Sequence, residues 1–215
     1  MIQRITLRDQ ISQWLQEQML SGKIKSGQKL SLAELSRDIQ VSVTPIREAL
    51  VQMVRTGIVT NISNRGFYIP QLSSEEAKNI YPAIYALEKL AMEKSQFSSS
   101  HIKTLNSIQS KFEKAASKEE AVRLDFQFHE SLTSVYHNKV VQNVLNDLKV
   151  RIFFYELQYM DDITNHQKSI GEHHNILNAL VDGNLEKATL ILQENWETSA
   201  SFIEAYYDNN QFVNH

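Results

Sequence analysis

Asp125 and His129 stand four residues apart in the run Asp125-Phe126-Gln127-Phe128-His129-Glu130. On a helix that spacing puts both side chains on one face, close enough together to grip a single ion. A second imidazole comes from Glu172-His173-His174-Asn175-Ile176-Leu177, at the start of a later helical pattern. Two imidazoles and a carboxylate suit zinc, nickel or another borderline divalent cation. The spacing alone is a weak signal, since an Asp–His pair four apart is more often a surface hydrogen bond or a satisfied core histidine. A different chemistry lies in Val41-Ser42-Val43-Thr44-Pro45-Ile46-Arg47-Glu48-Ala49-Leu50. Ser42 can cap a helix there, and Pro45 fits its first turn, where no N–H is needed. Thr44 and Arg47 then point outward near a helix N-terminus, whose partial positive charge and free N–H groups favour phosphate. Arg47, one turn in, reaches either a phosphate or the acceptor edge of a guanine.

The elements that must position Arg47 surround it in residues 30–70. Ser31 followed by Glu34 reads as a capping box, and Leu32, Leu35 and Ile39 recur on one helical face. Ile46, Leu50 and Met53 form the inward face of the next helix. The β-rich runs Ile58-Val59 and Phe67-Tyr68-Ile69 flank the turn Asn64-Arg65-Gly66, which carries a cation at its tip. Two short helices, a tight polar junction and a hairpin describe a winged helix-turn-helix, which offers one helix to the major groove and its wing to the neighbouring groove. An amphipathic helix bearing Leu7, Ile11 and Leu15 precedes this unit.

Charge is distributed accordingly. The whole chain of 215 residues carries a formal −3, but residues 1–72 hold nine Lys and Arg against five Asp and Glu, a net of +4. The remainder holds thirteen against twenty, a net of −7. A basic head on an acidic body is expected where only the head meets phosphates, and so modest a charge predicts that two heads are needed. With no cysteine in the chain, disulfides, thiolate metal sites and a cysteine nucleophile are excluded. The opening Met1-Ile2-Gln3-Arg4 lacks the apolar core of a signal peptide, and no apolar run nears the ~20 residues that span a bilayer. A cytoplasmic protein without a membrane segment is expected.

A boundary is expected at residues 72/73, where Ser73 or Ser74 can cap a new helix with acidic residues in its first turn. Beyond it the periodicity predicts helices over about 74–95, 99–116, 118–135, 138–161, 166–182 and 184–209, an all-α antiparallel bundle. Within it, Phe126, Phe128, Phe153, Phe154, Tyr155, Tyr159 and Trp196 either line a ligand pocket or form plain core. His174 should point about 100° away from His173 on its helix, and His101, His137 and His215 are expected to be solvated.

Residues 7–70 resemble the N-terminal domain of GntR-family bacterial transcription regulators. The shared elements are residues 20–30, Val41 to Leu50, and Arg65-Gly66-Phe67-Tyr68-Ile69. The resemblance implies DNA contacts from Ser42, Thr44, Pro45, Arg47 and the wing at Arg65 and Gly66. Ala33 and Val43 depart from it, standing where many members carry an arginine used in operator recognition. Residues 75–205 resemble the all-helical effector domain of the FadR-type branch, the FCD domain. The matching motifs are Leu87-Glu88-Lys89-Leu90-Ala91, Asp125 to His129, Glu172-His173 to Leu177, and Asp182 to Ala188. In its metal-binding members the ligands are an aspartate, a histidine four later, the histidine of the Glu-His pair, and a histidine twenty-two further on. Here these positions are Asp125, His129, His173 and Asn195, so the fourth ligand is an amide or a water instead of an imidazole. Ile84 stands where many members have an arginine that serves a carboxylate effector, which implies a less acidic ligand or none. The effector pocket would include Ile84, Phe128 and Trp196.

The expectation is a mostly α protein: a winged helix-turn-helix over residues 1–72, then a helical effector-binding and dimerisation domain over residues 73–215. Its function would be ligand-responsive transcription regulation by a homodimer on a double-stranded operator with two-fold symmetry. A small-molecule effector would be sensed, with a divalent metal, zinc or nickel, in the bundle. The alternatives are a metal-dependent hydrolase using Asp125, His129 and His173, and a regulator whose bundle only dimerises.

Overall fold

The computed structural model describes residues 6–210. Met1 to Arg4 and His215, on which expectations were placed, lie outside the described residues. The chain divides into two compact units between Leu72 and Ser73.

The first unit opens with α1 (Leu7–Leu20), capped by Thr6 and Asp9 in a reciprocal capping box. Its buried face is Ile11, Leu15 and Met19, whereas Leu7 is 49% exposed, on the solvent side of the first turn. A short strand, β1 (Lys29–Leu30), precedes α2 (Leu32–Ile39) and α3 (Val43–Arg55). Between these two helices Gln40 takes a left-handed conformation with φ 53°, and Ser36 Oγ donates to the Val41 carbonyl at 2.6 Å. That closes the tight junction in few residues. Ile46, Ala49, Leu50 and Met53 are buried on α3. Ser31 caps α2 by accepting from the Glu34 N–H at 3.3 Å, but Ser42, though at the N-cap of α3, makes no side-chain cap bond and stays exposed.

The hairpin is β2 (Thr60–Ile62) with β3 (Gly66–Tyr68). Ile58 and Val59 are not strand residues, contrary to the sequence reading. After Gly57, at φ +76°, both turn back to donate to the Met53 carbonyl and plug the end of α3, 3% and 1% exposed. The sheet also has a third member that the sequence reading did not contain. β1 pairs antiparallel with β3, Leu30 opposite Phe67, giving the order β1-β3-β2.

The second unit consists, among the described residues, of six helices: α4 (Ser74–Glu93), α5 (Ser99–Phe112), α6 (Lys118–Ser134), α7 (Lys139–Tyr159), α8 (Ile163–Val181) and α9 (Leu185–Asn210). Ser73, Ser98, Ser117, Asn138, Asp162 and Asn184 each accept from a first-turn N–H, so every start carries a polar cap. The Asp162 cap starts α8 at Ile163, three residues earlier than the periodicity predicts. α4 packs on α6, α7 and α9, and α8 on α5 and α9, around a shared interior. Pro82 lies inside α4 with its ring exposed, so the carbonyl it leaves unbonded faces the solvent side. None of the described helices is long and apolar enough to cross a membrane.

Candidate functional site

α6 presents Asp125 and His129 inward one turn apart, and α8 brings His173 against them; all three are buried. One ligand atom from each lies within 4.8 Å of the others. His173 Nε2 stands 3.4 Å from Asp125 Oδ1, and His129 Nε2 stands 3.9 Å from Asp125 Oδ2.

The other ring nitrogens decide the chemistry. His129 Nδ1 lies 2.8 Å from Glu88 Oε2. Burial pushes the Glu88 carboxyl up, but Lys149 Nζ at 2.9 Å and His129 outweigh it and hold it down at about 2. An ionised carboxylate only accepts, so His129 Nδ1 donates. His173 Nδ1 lies 2.9 Å from Gln109 Oε1, whose amide is oriented by donation from Nε2 to the Ile170 carbonyl at 3.3 Å, so this Nδ1 also donates. Burial holds the His173 ring well below the ordinary histidine range, in its neutral form. His173, neutral and donating through Nδ1, therefore carries a lone pair on Nε2. Both Nε2 atoms are buried without a hydrogen-bond partner and face one buried carboxyl group. Burial pushes Asp125 up to about 6, against the pull of His129 and Lys149.

The His173 lone pair, the Asp125 carboxyl and His129 Nε2 converge where they could fill three of the four positions of a tetrahedral coordination shell. Tetrahedral bonds of about 2.0–2.1 Å put neighbouring ligand atoms about 3.3 Å apart, and Asp125 lies 3.4 Å from His173 Nε2 and 3.9 Å from His129 Nε2. The acceptors behind the imidazoles, Glu88 and Gln109, are outer partners of the kind that orient metal-binding histidines.

Asn195, the fourth position, is buried and donates its amide N–H to Glu172 Oε2 at 2.7 Å. Phe128 stacks on the His173 ring with centroids 3.9 Å apart and planes within 11°. Trp196 lies 4.4 Å from the His129 ring and donates Nε1–H to Glu88 Oε2 at 2.8 Å. Ile84 is fully buried on α4, between the turns that carry Tyr81 and Glu88. The other aromatics make contacts within the bundle. Phe126 meets Phe153 edge-on, and the Tyr155 hydroxyl binds the backbone N–H and carbonyl of Ser73, tying α7 to the start of α4.

The remaining histidines separate clearly. His174 is exposed and pairs with Glu113 at 2.8 Å, while His166 is buried with Nε2 3.1 Å from the Phe112 carbonyl. His137 is exposed, but His101, expected to be solvated, places Nε2 2.8 Å from the Ser131 carbonyl. Sequence reasoning also missed the charges around the cluster. Lys149 and Glu156 are buried on α7, seven residues apart and with Ile152 and Phe153 between them on the same face. That spacing was the available signal. Tyr81 donates to Glu156 Oε1 at 2.6 Å, and burial together with the charge of Asp125 pushes Glu156 up to about 8.

In the first unit Ser42, Thr44 and Arg47 are exposed at the start of α3, with Pro45 partly buried beside them. Ala33 and Val43 are exposed and uncharged. In the wing, Arg65 is exposed between Asn64 at φ 60° and Gly66 at φ +98°, and its N–H donates to the Ile62 carbonyl at 3.0 Å.

Residues 79–198 match the FCD domain, and residues 7–69 match the bacterial regulatory proteins of the gntR family. The HTH-type transcriptional regulator YdhC of Bacillus subtilis is 26% identical over 180 residues, 81% of this chain and 80% of that protein. The HTH-type transcriptional regulator McbR of Escherichia coli is 26% identical over 91 residues, 42% of this chain and 41% of that protein. In fold, the solved E. coli McbR/YncC structure superposes with a TM-score of 0.81 at 21% identity, covering 95% of this chain and all of that one. A GntR-type regulator structure from Rhodococcus gives 0.82 at 18% identity, over 93% of this chain and 98% of that one. With the two domain matches in sequence order and together covering most of the chain, this protein belongs to the GntR family of bacterial transcription regulators and carries an FCD domain.

Proposed function

We propose that this regulator senses a small metabolite through a divalent cation held by Asp125, His129 and His173, and that it acts as a homodimer on a two-fold operator in the cytoplasm. The observation that supports the metal is the pair of buried, unpartnered Nε2 atoms facing a buried carboxyl. Zinc or nickel matches this nitrogen-rich donor set, with the Asn195 carbonyl or a water completing the shell. A bound cation of this kind supplies Lewis acidity toward an effector oxygen. The chain's own residues do the rest: Glu88 and Gln109 fix the imidazole tautomers, and Phe128 and Trp196 pack on the rings and exclude water.

The effector is read as weakly acidic or neutral. Ile84 offers no cation, and the one buried Lys or Arg among the described residues, Lys149, is committed to Glu88. A hydrolase finds no support in the relatives, which are named as transcription regulators. DNA reading is assigned to Ser42, Thr44, Pro45 and Arg47 on α3 and to Arg65 and Gly66 in the wing.

Elemental analysis and melting curves before and after chelation test the metal. Purified protein should hold about one zinc or nickel per chain, and its melting temperature should drop on chelation, because a ligand of the folded state stabilises by mass action. His129→Ala should abolish the drop, and Asn195→His should slow zinc loss to a chelator. Metal-free protein whose melting temperature ignores both added zinc and chelator would refute the proposal.

A further inference from the structure

The readers on α3 leave most of the head's positive charge unexplained. Of the exposed residues Ala33, Val43, Thr44 and Arg47, only Arg47 is cationic. Two more arginines lie beside it. Arg47, Val51 and Arg55 follow one another at i, i+4 and i+8 along α3, all exposed, and Arg8 from the first turn of α1 faces the same groove. Glu48 and Gln52 complete the lining, so the groove carries three guanidinium groups against one carboxylate. Arg8 Nη2 lies 3.5 Å from its neighbour Asp9, while among the described residues Arg47 and Arg55 have no ion-pair partner.

We infer that this groove is a phosphate clamp, in which Arg8 and Arg55 grip the sugar-phosphate backbone of the duplex whose bases face Arg47. The inference rests on the DNA-binding reading and adds two contacts outside the helix-turn-helix tip and the wing. Dimensions support it. Eight residues of helix rise about 12 Å, and the major groove is about 12 Å wide. When Arg47 stands over base edges, Arg55 is therefore one groove width away, where the flanking phosphates run. Charge supports it too, since a net +4 spread over nine cations leaves a head that needs its arginines gathered on the DNA side. Arginine is the side chain whose planar fork matches phosphate oxygens. Val51, exposed between the two α3 arginines, gives the groove an apolar patch suited to deoxyribose rather than to a charge.

The test uses the full-length protein and a random-sequence duplex of about 30 base pairs, titrated over a range of salt concentrations. Each lost phosphate contact should shrink the slope of log K against log salt by about 0.9, so Arg55→Gln and Arg8→Gln should each lower it by about 1.8 in a dimer. Glu48→Gln, which removes the groove's carboxylate, should tighten binding. The site recovered by iterative selection from a random pool should be the same for Arg55→Gln and wild type. Slopes unchanged in both arginine variants while Arg47→Ala weakens binding would overturn the clamp and leave the reading helix standing. Variants that instead change the sedimentation of DNA-free protein would place the groove against a second copy, also overturning it. Wild type that binds no duplex would overturn the clamp and the DNA reading together.

Discussion

Glu88 accepts an N–H from His129 and another from Trp196 through one carboxylate oxygen, and holds Lys149 on the other. A fully buried carboxylate survives only with such company, and the company survives only with it. Lys149→Met should therefore destabilise the protein by about 3–5 kcal/mol, the usual cost of stranding one partner of a buried pair. Adding Glu88→Gln to Lys149→Met should recover part of that loss, and urea unfolding of the three proteins checks the order. Glu156 makes the opposite case, a buried carboxyl with hydroxyl donors from Tyr81 and Ser199 and no cation among its hydrogen-bonding partners. Its pKa is about 8 in the fold against an ordinary 4.5, so between these values the folded state binds the extra proton. Stability then falls as pH rises from about 4.5 to about 8. Asp125 adds the same sign over its own window, from its ordinary 3.8 to about 6. Glu156→Gln should melt like wild type near pH 5 and above it at pH 9; identical melting at both values would show Glu156 ionised at no cost. These residues were hard to see in the sequence because a Lys or Glu in a helical pattern reads as a solvated face. Asp125, His129 and His173 were legible chiefly through the resemblance to the FCD domain, because an Asp–His pair four apart is by itself a weak signal and His173 lies on another helix. Glu88 and Gln109, which orient them, reach the cluster only through the packing of α4 and α5 against α6 and α8.

At the scale of elements, polar caps mark the helix starts throughout the second unit, and the six bundle helices match the expected ones apart from α8, which starts three residues early, and α5, which ends four residues short. The two-residue strand β1 leaves no comparable trace, since Lys29-Leu30 pairs only because β3 arrives beside it from nearly forty residues away. Ile58-Val59 misled for a related reason: β-branched residues suit a strand, but here the end of α3 needs an apolar plug and takes them first. The wing, by contrast, is written in its turn. Gly66 at φ +98° sits where an L side chain is strained, although a Cβ there would meet only Lys29 Cε at 4.0 Å. Space is therefore not the constraint, and backbone conformation is. Gly66→Ala should cost about 1–2 kcal/mol, the scale of left-handed strain, localised in the hairpin. Amide exchange should show faster opening of β2 and β3 with α3 protected as in wild type, and duplex affinity should fall with it. Unaltered exchange in the hairpin would mean that the turn relaxes to another conformation and that Gly66 is not required there.

For the whole molecule, the charge split defines the problem that regulation must solve, because the +4 head meets phosphates and the −7 remainder does not. One such head is a weak binder, so a dimer on two half-sites about one helical turn apart is the economical arrangement. Sedimentation should find a dimer free and on DNA. A ligand in the helical domain then acts on DNA affinity only through unequal binding to the two arrangements of the heads. That requirement makes the last expectation quantitative. If zinc changes duplex affinity by some factor, the duplex must change zinc affinity by the same factor, since the coupling free energy is shared. The duplex used is the one recovered by selection. Fluorescence anisotropy with and without zinc gives the first factor, and competition against a chromogenic chelator with and without the duplex gives the second. A factor between about 5 and 150 is the ordinary range for coupled sites. His129→Ala should bring both factors to one while the zinc-free affinity for DNA stays at the wild-type value. Two unequal factors would mean that zinc acts elsewhere, on the duplex or on association of chains. Two factors of one in wild type would mean that the cation at Asp125, His129 and His173 is structural and that the effector acts without it.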